Sequence, residues 1–279
     1  MIPIDEIEPF GTSDDCRGYD LVMSENPMQW PAETEKELTP AELYLDLLKK
    51  CLTRFIFDRS TGFDPQLRAE GIDWPAEGET MMGLRRLQNL QDCITDVLRK
   101  GVMGDLIEAG VWRGGGTIFM RGVLKAFGDR ERTVWVADSF AGLPPPSPDL
   151  YPADEGASFH LHNNVLGVPV EEVKANFARY GLLDDRVRFL EGWFKDTLPG
   201  APISRLAVLR LDGDMYESTI IGLRSLYSKV SVGGYVIIDD YAPTLPGCVQ
   251  AVHDFRAENN ITEEMTSTGH YGVFWQRLR

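Results

Sequence analysis

From residue 104 onwards, short apolar runs alternate with segments of helical period. The runs Asp105–Ala109, Thr133–Ala137, Val187–Leu190, Leu206–Leu211 and Tyr235–Ile238 are bounded by turn-forming residues and predict buried strands. Helices are predicted near Thr117–Phe127, Val170–Tyr180, Ser218–Val230 and Val249–Glu258. Strands interleaved with helices imply βαβ units and a mainly parallel sheet. Two last runs, Ile261–Thr266 and Tyr271–Arg277, flank Ser267-Thr-Gly-His and read as a closing antiparallel hairpin, which brings the strands to seven.

The first hundred residues follow another pattern. Residues 1–40 are polar and without period, and read as an arm. Behind Thr39-Pro40, an N-cap and N1 pair, the residues Leu43, Leu47, Leu48, Cys51, Leu52, Phe55 and Ile56 recur at helical spacing. A second stripe, Met81, Leu84, Leu87, Ile94, Val97 and Leu98, is closed by Gly101, and Ser60–Glu79 between the two reads as loop. The expected division is an arm (1–40), a helical extension (41–101) and an α/β domain (102–279). One connection within that domain is unusually long: Ser139–Val168 carries Pro144, Pro145, Pro146, Pro148 and Pro152 and is read as a lid.

Charge narrows the partners. Asp and Glu number 43 against 28 Lys and Arg, a net charge of −15, which disfavours nucleic acid and anionic membrane. No 18-residue apolar run and no secretory leader are visible, so neither a span nor export is expected. Cys16, Cys51, Cys93 and Cys248 are widely spaced and read as reduced thiols of a cytoplasmic protein.

Candidate chemistry gathers at the predicted strand ends, where open α/β sheets bind ligands. The first strand runs into Glu108-Ala-Gly110-Val-Trp-Arg-Gly114-Gly115-Gly116-Thr117. Such a turn lets backbone approach a ligand, but the spacing is not G-x-G-x-x-G, which disfavours a pyrophosphate and a nicotinamide dehydrogenase. The acidic Glu108 suits a cationic group such as the amino group of S-adenosylmethionine, and makes Glu108, Gly110, Gly116 and Thr117 cofactor candidates. Asp138, before Ser139, can accept both hydroxyls of a ribose or merely start a turn. Gly192-Trp193 can line an adenine pocket or simply pack. The next two strands end in Asp212-Gly-Asp214 and Asp239-Asp240, which would bring four carboxylates to one rim. Oxygen-only donors select a hard cation, Mg²⁺ first and then Mn²⁺ or Ca²⁺. Against this, Asp214 with Glu217 three residues on also reads as a capping box. His160 and His162 fall in the lid, His253 in a helix and His270 in the hairpin turn, with no zincin or serine-hydrolase motif.

Five segments, Glu108-Ala-Gly-Val-Trp-Arg-Gly-Gly, Val136-Ala-Asp-Ser-Phe-Ala-Gly-Leu-Pro, Gly192-Trp-Phe-Lys-Asp-Thr-Leu-Pro, Leu209-Arg-Leu-Asp-Gly-Asp-Met-Tyr-Glu-Ser-Thr and Gly233-Gly-Tyr-Val-Ile-Ile-Asp-Asp-Tyr, resemble the macrocin/mycinamicin-type sugar O-methyltransferases in the same order. The likeness spans about residues 78–278. It implies a Rossmann-like class I methyltransferase fold, S-adenosylmethionine and a divalent metal, usually Mg²⁺. It implies Asp212, Asp239 and Asp240 as metal ligands, with Asp212 also beside the cofactor, and Asp214 as general base. It implies adenosine contacts from Asp138, Ser139 and Gly192-Trp193, a small-molecule hydroxyl acceptor such as a glycosylated natural product, and a homodimer or higher homo-oligomer. Residues 1–40, the lid and the Ser267–Gln276 hairpin depart from the family, so its glycoside substrates carry over loosely. The expected chemistry is a diol held at the ion, deprotonated by Asp214 and covered by the lid. A catechol acceptor, or a silent S-adenosylmethionine-binding protein, is the alternative.

Overall fold

The computed structural model describes residues 37–58 and 62–279. The chain divides into Met1–Leu38 and Thr39–Arg279. The arm expected at 1–40 lies almost wholly outside the described residues, as does Cys16. Cys51, Cys93 and Cys248 are free thiols.

The strands are β1 (Asp105–Ala109), β2 (Val134–Asp138), β3 (Val187–Glu191), β4 (Leu206–Leu211), β5 (Val230–Ile238), β6 (Thr266–Ser267) and β7 (Val273–Gln276). They form one sheet in the order β3-β2-β1-β4-β5-β7-β6. The first five are parallel, while β7 runs antiparallel to both β5 and β6. The strand order reverses between β1 and β4, so the carboxyl ends of these two strands flank the crevice where such sheets take ligands.

Helices cover both faces. They are α1 (Pro40–Leu52), α2 (Pro65–Glu70), α3 (Gly83–Arg99), α4 (Gly115–Ala126), α5 (Asn163–Leu166), α6 (Val170–Arg179), α7 (Phe194–Thr197), α8 (Tyr216–Leu226) and α9 (Pro246–Glu258). Leu106, Val136 and Val208 pack with residues of α1, α3, α4 and α6, while Ile107, Leu209 and Leu211 pack with α8 and α9. Coverage on both sides explains why every residue of β4 is buried.

Several boundaries differ from expectation. The Thr39 cap is formed as a full capping box with Glu42, but α1 ends at Leu52, short of Phe55 and Ile56. Its core side is Leu45, Leu48 and Leu52, whereas Leu43 and Leu47 are more than half exposed. Within the expected loop Ser60–Glu79 lies α2, started by Asp64 Oδ1 accepting from Gln66 and Leu67 and stopped by left-handed Gly71. Six residues are too few to display a period, so only the caps could reveal it. β5 begins at Val230 rather than Tyr235, because Gly233-Gly234 interrupts its apolar pattern. The hairpin is shorter than expected, with no strand at 261–265. The long connection holds two 3-10 turns, Pro152–Asp154 and Phe159–His162, followed by α5. Among the described residues no helix is long and apolar enough to cross a membrane.

Two substitutions calibrate α1. Leu48→Ala removes a buried side chain facing the main core and is expected to cost about 2–5 kcal/mol. Thr39→Ala removes only the cap and is expected to cost about 0.5–2 kcal/mol. Urea denaturation measures both, and a larger loss from Thr39→Ala would contradict this packing.

Candidate active site

The floor of the crevice is backbone. Beyond the last strand residues, Gly192 N–H donates to Asp138, Gly110 to Ala137, Asp212 to Ala109 and Asp239 to Leu211, each at 2.9 Å. The exits of β3, β2, β1, β4 and β5 are thereby tied side by side. Gly110 has φ +91, and a Cβ there would run into the Asp212 carbonyl. The first glycine thus permits the close approach of β1 and β4.

Above this floor stands Arg210, a wholly buried cation in the central strand β4. It sits opposite Glu108 in the β1–β4 register and its Nη1 bonds the Glu108 carboxylate. The same Nη1 reaches Asp212 Oδ2 at 2.9 Å, and Nη2 ion-pairs with Asp239 Oδ1 at 2.6 Å. A second buried guanidinium, Arg86 of α3, pairs with Asp239 Oδ2. It is fixed in turn by the carbonyls of Met82 (2.8 Å), Gly71 (2.9 Å) and Met81 (2.6 Å). Asp240 Oδ2 accepts the Asp214 N–H at 2.8 Å. Asp214 itself is in the left-handed region, φ 58°, and half-buried.

Asp212, Asp239 and Asp240 each present one oxygen within 4.8 Å of the others. Asp214 adjoins this group without joining it. Burial raises the Asp240 carboxyl well above its usual range, aided by Asp214, Asp212 and Asp239. Burial and the Asp239 charge raise Asp212. Burial also works to raise Asp239, but Arg210 and Arg86 overcome it and hold this carboxyl low. Burial, with the Asp212 and Asp239 charges, pushes Asp214 up to about 7. Glu108 is pushed up to about 8, mainly by burial and against Arg210. Five carboxyl groups share two guanidinium groups, and burial with mutual repulsion raises four of the five. The all-oxygen donor set of Asp212, Asp239 and Asp240 fits a hard dication.

The expected cofactor residues are placed differently from one another. Gly116 makes room for the Glu108 carboxylate, not for open space. Thr117 is fully buried, and its hydroxyl donates to the Gly114 carbonyl at 2.8 Å, within its own helix turn. Asp138 accepts the N–H groups of Val111 (2.7 Å) and Trp112 (3.3 Å) on Oδ2 and of Phe140 (2.8 Å) on Oδ1. Ser139 Oγ donates to Gly142 at 2.6 Å. Gly192 (φ +136) carries the chain into Trp193, which precedes α7. Trp112 takes a left-handed backbone (φ 48°), and Arg113 stacks 4.1 Å from its ring centre.

The capping-box alternative for Asp214 is not realised. The N-cap of α8 is Met215, and the N–H groups of Tyr216 and Glu217 bond Asp154 at 2.6 and 2.9 Å. Asp154 carries no signal in the sequence. Arg210 and Arg86 were also missed, although a cation within an apolar strand and one inside a helical stripe are readable anomalies. Of the histidines, His253 meets Tyr241 Oη at 2.7 Å, and His270 packs edge-on against Tyr271, whose ring lies near Arg86. His160 and His162 lie in the second 3-10 turn of the long connection.

The Glu108 environment makes stability pH-dependent. Its carboxyl releases a proton near 4.5 when unfolded and near 8 when folded. The folded state therefore binds more protons inside that window, and stability falls as pH rises through it. Asp214 acts in the same sense. Urea denaturation of chelator-treated protein from about pH 5 to about pH 8 is expected to show this decline, and Glu108→Gln to flatten it. A steeper decline in the variant would refute the assignment.

Comparison with known proteins identifies the family. Residues 33–277 match the family model described as macrocin O-methyltransferase (TylF). A tetracenomycin rhamnosyl 4'-O-methyltransferase of Streptomyces olivaceus is 54% identical, over 84% of this chain and 92% of that one. The demethyldecarbamoylnovobiocin O-methyltransferase of Streptomyces niveus is 50% identical, over 88% and 98%. The mycinamicin III 3''-O-methyltransferase of Micromonospora griseorubida is 48% identical, over 86% and 98%. The solved O-methyltransferase NovP has TM-score 0.83 at 52% identity, over 86% of this chain and 100% of that one. The chain belongs to the macrocin O-methyltransferase family and is an S-adenosylmethionine-dependent O-methyltransferase.

Proposed function

We propose that this chain methylates a hydroxyl of a deoxysugar on a natural-product glycoside, with Mg²⁺ (or Mn²⁺) held by Asp212, Asp239 and Asp240 and Asp214 as general base. The observation that carries the reading is the convergence of those three carboxylates at the ends of β4 and β5. Three relatives whose names specify natural-product acceptors support the substrate class. S-adenosylmethionine supplies an activated methyl group, and a bound dication would acidify a sugar hydroxyl as a Lewis acid.

The chain's own residues supply orientation and proton transfer. Arg210 and Arg86 hold Asp239 from two sides, which fixes one donor before any ligand arrives. Asp240 serves twice, as a donor and as the acceptor that anchors the Asp214 backbone. The Asp214 carboxyl, with a proton affinity near neutrality, is matched to accepting a hydroxyl proton. The β1 turn, with Asp138, Ser139 and the Gly192-Trp193 corner, forms the cofactor side of this reading. An assembly of two or more copies belongs to it as well, since Leu43 and Leu47 leave apolar surface on α1.

The test uses purified protein with S-adenosylmethionine and three acceptors: demethyldecarbamoylnovobiocin, mycinamicin III and a catechol. Methyl transfer to a glycoside is expected to vanish on chelation and to return with Mg²⁺ or Mn²⁺. Asp214→Asn is expected to lower kcat by about 10²–10⁴-fold. Undiminished transfer by Asp239→Ala in chelator would defeat the metal assignment, and transfer to the catechol alone would overturn the substrate class.

A further inference from the structure

The N–H groups of a helix's first turn have no partner within the helix and must find one elsewhere. For α8 the nearest candidate in sequence is Asp214, but its backbone is left-handed and tied to Asp240. Its carboxylate makes no hydrogen bond among the described residues. The acceptor comes instead from the middle of the long proline-rich connection. Asp154, 2% exposed, takes the Tyr216 N–H on Oδ1 at 2.6 Å and the Glu217 N–H on Oδ2 at 2.9 Å. The site is shaped to receive it: a Cβ on Gly247, in the first turn of α9, would lie 2.7 Å from Asp154 Oδ1. Beside it the rings of Tyr151 and Tyr216 pack with centres 5.9 Å apart.

We propose that Asp154 is a positioning residue for Asp214, pinning the connection to the helix whose entry loop carries the base. The inference rests on the role given to Asp214 above. Two consequences follow from the geometry. The connection is a strap fixed at its midpoint to the first turn of α8, directly after residues 212–215. Asp214 is also released from capping, which leaves its carboxylate for proton transfer. A carboxylate near a helix N-terminus is favoured by the helix dipole as well.

Three variants test the tether: Asp154→Ala, Asp154→Asn, which keeps a capping oxygen, and Gly247→Ala, which crowds Asp154 from α9. Asp154→Ala is expected to lower kcat by about 10–100-fold, the loss of one or two charge-assisted hydrogen bonds, with the Kd for S-adenosylmethionine changed by less than about threefold. Asp154→Asn is expected to recover most of that loss. Gly247→Ala is expected to lower kcat several-fold in the parent and by less in Asp154→Ala, where the nearest crowded atom, Asp154 Oδ1, is gone and the Tyr216 N at 3.0 Å remains. Amide hydrogen exchange across residues 211–218 is expected to quicken at least about tenfold in Asp154→Ala and little in Asp154→Asn. Unchanged exchange, or a kcat loss matched by a weaker Kd and not relieved by Asn, would overturn the proposal. If the parent protein methylates no acceptor at all, the functional reading fails, while the exchange measurement still decides the tether.

Discussion

A single buried guanidinium makes the acidic rim possible. Arg210 lies at the centre of the sheet, where a charge is expensive unless paired, and its partners are Glu108, Asp212 and Asp239. Without it, carboxylates from β1, β4 and β5 would face one another across a low-dielectric floor. Such a buried ionic group is weak evidence for stability, since well-packed apolar residues often serve as well. Its value here is arrangement. It gives Glu108, Asp212 and Asp239 each a direction and holds three strand ends in register through side chains as well as backbone.

Arg86 extends that arrangement to the helices that precede the sheet. Its guanidinium spans from Asp239 to the carbonyls of Gly71 and Met81, so the turn after α2 and the entry of α3 are tied to the rim. The helices before residue 102 are therefore part of how the site is held. The glycine turn also has a mainly internal use. Gly110 and Gly116 admit the Asp212 carbonyl and the Glu108 carboxylate, so this turn is a joint between strands and helix that happens to border the crevice. A ligand meeting this floor meets a surface already assembled.

Much of this could be read from the chain, and the failures have physical causes. Strand and helix alternation was legible because burial on both faces makes strands uniformly apolar and short. The four aspartates were legible because neighbouring parallel strands bring their exits together, an effect of topology rather than of local sequence. The face of α1 was misjudged because Leu43 and Leu47 share its period with Leu48 while lying outside the packed side. Helix α2 was lost because a six-residue helix owes its existence to caps and tertiary packing. Asp154 was out of reach altogether: its partners lie about sixty positions away, and nothing local marks an aspartate that caps a distant helix.

The four rim aspartates differ in what already holds them, and this difference supports the separate roles proposed for them. Asp239 is gripped by two guanidinium groups, Asp212 by one, and Asp240 by a backbone N–H. Asp214 alone of the four has a carboxylate without a hydrogen bond among the described residues, while its backbone is left-handed. Oxygens already fixed by a guanidinium group or a backbone N–H are suited to coordination, where geometry matters. An unpaired carboxylate with raised proton affinity is suited to taking a proton and returning it. Asp239 is pushed the opposite way from Asp214: two guanidinium groups hold it low while burial raises Asp214. The Asp214 carboxylate is left without a hydrogen bond among the described residues because the capping of α8 falls to Asp154, from another part of the fold.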